Sequence, residues 1–196
     1  MSWSVTVLPS LAMQTLPSTD PLTALALSAA GGDATAQEEL VVSTLPRVRN
    51  LVRYLVRGDA DVDDIAQDAL VTVLRRLPSF RGESAFSTWL RSVVTRVTLD
   101  WVRKRRRRES LAPRAAEPHL DLVADVSRLP DTYLEHRRAV ALLEKLPDEQ
   151  RLALVLHHVA GMTVPEIAEE LEAPVETVRS RLRLGLKKLR HLEGSR

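Results

Sequence analysis

The 196-residue chain contains no cysteine, which removes disulfide frameworks, thiolate nucleophiles and cysteine-type zinc sites together. No apolar run approaches the roughly 18 to 20 residues a membrane span needs. The first residues, MSWSVTVLPSLAMQTLPST, lack the basic flank of a secretory signal. A cytoplasmic protein without membrane insertion is therefore expected. Aromatic residues make up only 4%, and alternating strand-like runs bounded by turn residues are scarce. No Gly-rich phosphate loop, nucleophile elbow or His-Glu-x-x-His pattern occurs. The adjacent His157 and His158 would point about 100° apart on a helix, unsuited to one metal. Nothing in the chain calls for a cofactor, a metal or an enzymatic reaction.

Hydrophobic residues at 44% and charged residues at 28% place the chain in the ordinary soluble globular range. Nearly every periodic stretch has the helical period, so the expected fold class is all-α: two small helical domains joined by a flexible linker. The net charge is only +2, and its distribution is more informative than its sum. Acids cluster at Asp59, Asp61, Asp63, Asp64 and Asp68, and bases at 103–108 and again from Arg179 to Arg190. One acidic and two basic patches imply distinct surfaces for distinct partners.

Residues 1–22 show no pattern and read as a variable tail. Gly31-Gly32 ends a first short helix, and Asp33 is placed to cap the next, ATAQEELVVSTL. Pro46 is expected to open a further helix, RVRNLVRYLVR, that Gly58 closes. An amphipathic helix with an acidic first turn follows, with Ile65, Ala69, Leu70, Val73, Leu74 and Leu77 at three- and four-residue spacing. Pro78 ends it, and SFRGESAF forms a loop. The first domain is thus expected over 23–108. Residues 109–133, with three prolines and dispersed acids, read as the linker, and 134–196 as the second domain.

In that second domain, Thr163 and Glu166 have capping-box spacing around Pro165, and Glu172-Ala173-Pro174 marks a turn. A helix through Val178, Leu182, Leu186 and Leu189 then shows Arg179, Arg181, Arg183 and Lys187 on its other face. Two short helices joined by a tight turn, the second basic, are the geometry that enters a DNA major groove. A helical hairpin with a solvated basic face has the same pattern. Small Ala168 favours close packing of the two helices. A left-handed turn at Glu172 would cost on the order of 1 kcal/mol relative to glycine.

The first domain ends on WVRKRRRR, Trp101 to Arg108. On a helical wheel Trp89, Arg96, Arg103 and Arg107 share a face beside a stripe of Leu90, Val93, Val97 and Trp101. Both phenylalanines, Phe80 and Phe86, and two of the three tryptophans lie between Phe80 and Trp101. Aromatics interleaved with cations can stack unpaired bases while neutralising phosphates. The same aromatics can equally be core.

The segments DVDDIAQDALVTVL, FRGESAFSTWL with LDWVRKRRRR, and LPDEQRLALVLHHVAGMTVPEIAEELEAPVETVRSRL stand in the order and spacing of one family. The chain resembles an extracytoplasmic-function sigma factor of the sigma-70 family, a dissociable subunit of bacterial RNA polymerase. The resemblance covers about Asp33 to Leu189. It implies that 23–108 is sigma region 2 and 134–196 is sigma region 4. Asp61, Asp64, Gln67, Asp68 and Val71 would dock on core polymerase. Phe80, Arg81, Ser84, Phe86, Thr88 and Trp89 would hold unpaired bases of the promoter minus-ten element, with Arg96, Arg103 and Arg107 gripping the adjoining duplex. Thr163, Thr177, Arg179, Ser180, Arg181, Arg183 and Lys187 would meet the minus-thirty-five element. An anti-sigma factor is a further partner the family implies. The chain departs from the family pattern at Leu70, where phenylalanine is usual, at Arg96, where asparagine is usual, and at Glu172, where glycine is usual. A transcriptional regulator that reads duplex DNA through its helix-turn-helix, without polymerase docking, is the competing function.

Overall fold

A computed structural model describes residues 21–58, 60–111 and 131–194, with side chains for all of these but 106, 109–111 and 131–136. The expected linker interior, most of the expected tail and Asp59 lie outside the described residues. Among the described residues there are eight α-helices, one short 3-10 turn and no strand. The chain divides into two compact units, one spanning Leu16–Leu122 and the other taking in Val123–Arg196.

The first unit begins with α1 (Pro21–Ala30), which buries Leu22, Ala26 and Ala29. These alanines, with Ala36 on the next helix, let the two backbones pack closely. The first helix stops at Gly32, whose φ of +97° is left-handed. The Asp33 N–H returns to the Ser28 carbonyl at 3.4 Å and the Gly32 N–H to Ala29 at 3.2 Å, a Schellman ending. Asp33 then caps α2 (Ala34–Leu55) by accepting from the Ala36 N–H at 3.1 Å. That bond, helped by the Ser28 hydroxyl, lowers the Asp33 carboxyl below its ordinary value.

Pro46 does not open a helix; it sits inside α2, which runs unbroken for 22 residues. The reason is exposure. Pro46 has no N–H for the Val42 carbonyl, but Val42 is 68% exposed, so water can satisfy the group that the proline leaves unpaired.

Helix α3 (Val62–Arg76) buries Val62, Ile65, Ala66, Ala69, Leu70 and Val73, and Leu74 is half-buried. A 3-10 turn (Leu77–Ser79) leads into the loop, and α4 (Phe86–Leu111) completes the unit. The buried face of α4 is Leu90, Val93, Val94, Thr95, Thr98 and Leu99, whereas Val97 and Trp101 are only half-buried. The stripe is thus rotated from the expected one. Helix α4 also runs three residues into the expected linker and stops two residues before Pro113, as proline disfavours helix at the position ahead of it. Similarly, Pro21 and Leu22 belong to α1 rather than to the tail, because Leu22 is buried.

The second unit comprises α5 (Asp131–Glu144), α6 (Asp148–His158), α7 (Val164–Glu170) and α8 (Val175–Gly194). Helix α5 begins directly after Pro130, three residues ahead of the expected domain start. Leu146, Leu152, Leu154, Leu156 and Ile167 form the core. Helix α8 buries Val178, Leu182, Gly185 and Leu189, with Leu186 only half-buried. A Cβ at Gly185 would lie 2.8 Å from Leu154 Cδ1, so α8 approaches α6 closely there and any larger residue would force the buried Leu154 side chain to shift.

Candidate nucleic-acid interface

Helix α3 presents Asp64, Gln67, Asp68 and Val71 at helical spacing on its exposed face. The carboxylates of Asp64 and Asp68 have no ion-pair partner among the described residues, and Val71 is a 39% exposed aliphatic beside them. Asp61 differs. It stands at the N-terminal end of α3, and its Oδ2 accepts from Arg105 Nη1 at 2.8 Å. Asp63 likewise pairs with Arg49 at 2.7 Å. Part of the acidic cluster therefore holds the unit together, and part is left uncommitted.

The loop between the 3-10 turn and α4 is built on aromatic packing. Phe80 and Phe86 are 5% and 0% exposed, with ring centroids 5.4 Å apart at a near-perpendicular angle. Trp89 lies 5.5 Å from Phe80 and 5.6 Å from Phe86 and is half-buried. The two phenylalanine rings thus point inward and offer no free face, whereas Trp89 is partly open to solvent, and Arg81, Ser84 and Thr88 of the same segment are exposed. Low overall aromatic content concentrated in one place explains this arrangement: three rings packed together anchor a loop that has few other apolar residues. Helix α1 fixes the loop from behind. Thr23 Oγ1 accepts the Phe86 N–H at 3.0 Å, across 63 positions of sequence, satisfying a donor at the start of α4.

Buried Arg91 is a residue the helical wheel did not mark. Burial pushes its guanidinium down from the ordinary value, and its Nη2 donates to the Thr88 hydroxyl at 3.4 Å. Hydropathy gives no signal for an inward arginine, which is why sequence reasoning passed over it.

Along the outer face of α4, Arg96 is exposed without a partner among the described residues, and Arg107 is exposed. Arg103 donates to Asp100 at 3.1 Å. Arg105 also lies over the Trp101 ring, 5.5 Å from its centroid. The basic run is therefore partly structural, since one of its cations is held by both an aromatic face and Asp61.

In the second unit, Thr163 caps α7 and forms a full capping box with Glu166. The Thr163 N–H and hydroxyl both donate to Glu166 Oε2 at 2.7 Å, and these bonds lower the Glu166 carboxyl. The Thr163 hydroxyl is thus engaged in the cap. Glu172 has φ +48°; the Ala173 N–H reaches the Ala168 carbonyl at 2.9 Å and the Glu172 N–H reaches Glu169 at 3.2 Å. The turn is a Schellman ending carried by a glutamate. Beyond it, Thr177 and Ser180 are half-buried, and Arg183 and Lys187 are exposed without acidic partners among the described residues. Arg179 pairs with Glu176 of its own helix. Arg181 turns toward α6, where it meets Glu149 at 2.7 Å with only 20% of its side chain exposed, so it does not join the outward face.

His157 and His158 end α6 with their rings in edge contact, and His157 Nδ1 lies 2.9 Å from the Met162 carbonyl. Among the described residues no group of three or more potential ligands is placed to hold a metal. No helix among them is long and apolar enough to cross a membrane.

The described residues thus form two helical units, one with an acidic face and an aromatic loop and the other with a helix-turn-helix. Residues 40–108 match the model of Sigma-70 region 2, and residues 136–189 match that of Sigma-70 region 4. The chain is 35% identical over 160 residues to the ECF RNA polymerase sigma-E factor of Escherichia coli K12, covering 77% of this chain and 83% of that protein. The solved structure of CnrH in complex with the cytosolic domain of CnrY aligns with a TM-score of 0.52 at 26% identity, over 90% of this chain and 99% of the other. The sigma factor RpoE from Bartonella quintana, solved with the anti-sigma factor NepR, aligns with a TM-score of 0.52 at 19% identity, over 80% and 96% of the two chains. The chain belongs to the sigma-70 family, as an extracytoplasmic-function sigma factor that directs promoter recognition by RNA polymerase.

Proposed function

We propose a residue-level division of labour for this sigma factor. The α3 face of Asp64, Gln67, Asp68 and Val71 docks on core polymerase, and Asp61 contributes mainly by holding the start of that helix against Arg105. Trp89, with Arg81, Ser84 and Thr88 around it, captures unpaired bases of the minus-ten element. Phe80 and Phe86 act beneath it as the support of the loop. Arg96, Arg103 and Arg107 grip the neighbouring duplex. Helix α8 enters the groove of the minus-thirty-five element with Thr177, Ser180, Arg183 and Lys187, and Arg179 joins them by exchanging Glu176 for phosphate. Arg181 and Thr163 serve the fold of that domain more than the interface.

The uncommitted acidic face of α3 carries this reading. A duplex-reading regulator needs neither that face nor a half-exposed tryptophan over an aromatic loop. Promoter opening follows from capture of unstacked bases, and the polymerase supplies the chemistry, so the chain is not itself an enzyme and works in the cytoplasm. Domain limits near 23–108 and 134–196 fit this scheme, adjusted for the observed helix ends. An anti-sigma factor is proposed as a further partner, since the Bartonella quintana relative was solved with one.

Retention on immobilised core polymerase, followed by run-off transcription from a promoter library, tests the proposal. The wild-type chain is expected to be retained and to yield discrete transcripts. A variant carrying both Asp64→Arg and Asp68→Arg should lose retention while keeping its melting temperature. Full retention of that variant would remove α3 as the docking surface.

A further inference from the structure

Leu184 is 47% exposed, on the helix that the proposed function places in the major groove. The buried stripe of α8 is Val178, Leu182, Gly185 and Leu189. At 100° per residue Leu184 stands well away from that stripe, on the side shared by Thr177 and Ser180, seven and four positions earlier. Arg183, Lys187 and Lys188 flank it, all exposed and without acidic partners among the described residues. The other large exposed aliphatics, Leu27, Val42, Leu45 and Val71, all belong to the first unit. A single leucine within a cationic face is too small an apolar area for a protein partner, and the charge around it suits phosphate.

The two arginines earliest on α8 are held by carboxylates, Arg179 by Glu176 and Arg181 by Glu149. Beside the cations Arg183, Lys187 and Lys188, which suit phosphate, the uncommitted groups on that side of α8 are the Thr177 and Ser180 hydroxyls and the Leu184 methyls. Hydroxyls bond either phosphates or base edges and discriminate weakly. The one apolar group that base edges show in the major groove is the thymine 5-methyl. We infer that Leu184 is a specificity-determining residue of the minus-thirty-five interface, selecting a thymine by contact with its 5-methyl group. From Thr177 to Leu184 is about 10 Å along the helix axis, a span of about three base-pair steps, so the selected thymine lies to one side of the hydroxyl contacts.

This inference rests on α8 occupying the groove, and the experiment separates the two. Holoenzyme assembled from the full chain and core polymerase selects duplexes from a pool randomised upstream of the start site. On a selected duplex each thymine is then replaced in turn by uracil, which lacks only the methyl. Wild-type holoenzyme should lose about three- to fivefold in affinity at one position, the worth of about one buried methyl. Leu184→Ala, a change outside the buried stripe of α8 whose melting temperature should stay close to that of the wild type, should lose a similar factor on the thymine duplex. It should lose nothing further on the uracil one. A selected element without thymine, or a Leu184→Ala variant as sensitive to uracil as the wild type, overturns the assignment. So does a variant that weakens holoenzyme assembly instead. Arg183→Ala and Lys187→Ala report on the groove itself: if neither weakens binding nor flattens its salt dependence, the placement of α8 fails and the inference with it. If both do and uracil is neutral, only the role of Leu184 falls.

Discussion

Arg105 and Asp61 lie 44 residues apart and meet at 2.8 Å, so the end of the basic helix α4 is tied to the first turn of the acidic helix α3. The surface expected to face DNA and the surface expected to face polymerase are thus joined by a contact that also orders each. Both side chains are about two-fifths exposed, so solvent screens the pair and its worth is about 0.2 to 1 kcal/mol. Asp61→Asn should lower stability by that amount, Arg105→Gln by more because it also leaves the Trp101 ring, and the double variant by little more than Arg105→Gln alone. Chemical denaturation of the four proteins measures this coupling. Fully additive effects would mean that the contact contributes nothing. Core retention should fall far less for Asp61→Asn than for changes at Asp64 and Asp68.

Trp89 and Phe86 are ring neighbours with separable roles. Phe86 is fully buried, and Phe86→Ala should destabilise the first unit by about 3 to 5 kcal/mol. Trp89 is half-buried, and stacking of a base on an aromatic is worth about 1 to 3 kcal/mol. Trp89→Ala should therefore reduce open-complex formation by roughly tenfold or more while leaving duplex binding within about twofold. Permanganate footprinting of unpaired thymines beside a gel-shift assay on the duplex reads the two separately. Equal losses in both would make Trp89 a core residue only.

The features legible in sequence were those written in local pattern: the capping box at Thr163 and Glu166, the Asp33 cap, the amphipathic α3, and the order of the two domains. What escaped depends on three-dimensional closeness. Nothing local marks Gly185 as a contact point; only the fold brings Leu154 Cδ1 to 2.8 Å from where its Cβ would be. Arg181 looks like a groove residue until Glu149, 32 positions earlier, is found against it. Pro46 looks like a helix start because its tolerance inside α2 depends on which side faces water. Aromatic clustering marked the loop correctly as a unit but could not tell which ring would be left partly open. That division follows from how the three rings pack on one another, and the tie of the loop to α1 through Thr23 spans 63 positions that no local pattern reports.

Glu172 holds a left-handed conformation, φ +48°, that L side chains other than glycine and asparagine seldom adopt. The Schellman bonds at Ala173 and Glu172 hold it there. Glu172→Gly should remove the Cβ strain and stabilise the second unit by about 1 kcal/mol, somewhat less after the greater freedom of glycine in the unfolded chain. Urea denaturation should show a higher midpoint at unchanged slope. A lower midpoint would mean that the glutamate side chain makes a compensating interaction at the turn.

His158 supplies a pH dependence of known sign. Burial, and secondarily the neighbouring His157, lower its imidazole below the usual 6.5, and its Nε2 is buried without a hydrogen bond. The folded chain therefore resists a proton that the unfolded chain accepts. Above the unfolded value the neutral ring contributes its full stability; as pH falls below 6.5 the unfolded state binds more protons and stability declines until the lowered folded value is passed. Thermal denaturation followed by circular dichroism should show the melting temperature dropping between about pH 7.5 and about pH 5.5, a range lying above the ordinary carboxylate titrations. His158→Phe keeps the ring volume, removes the titration and should flatten that slope. An unchanged slope in the variant would assign the pH dependence to another histidine and leave His158 as packing alone.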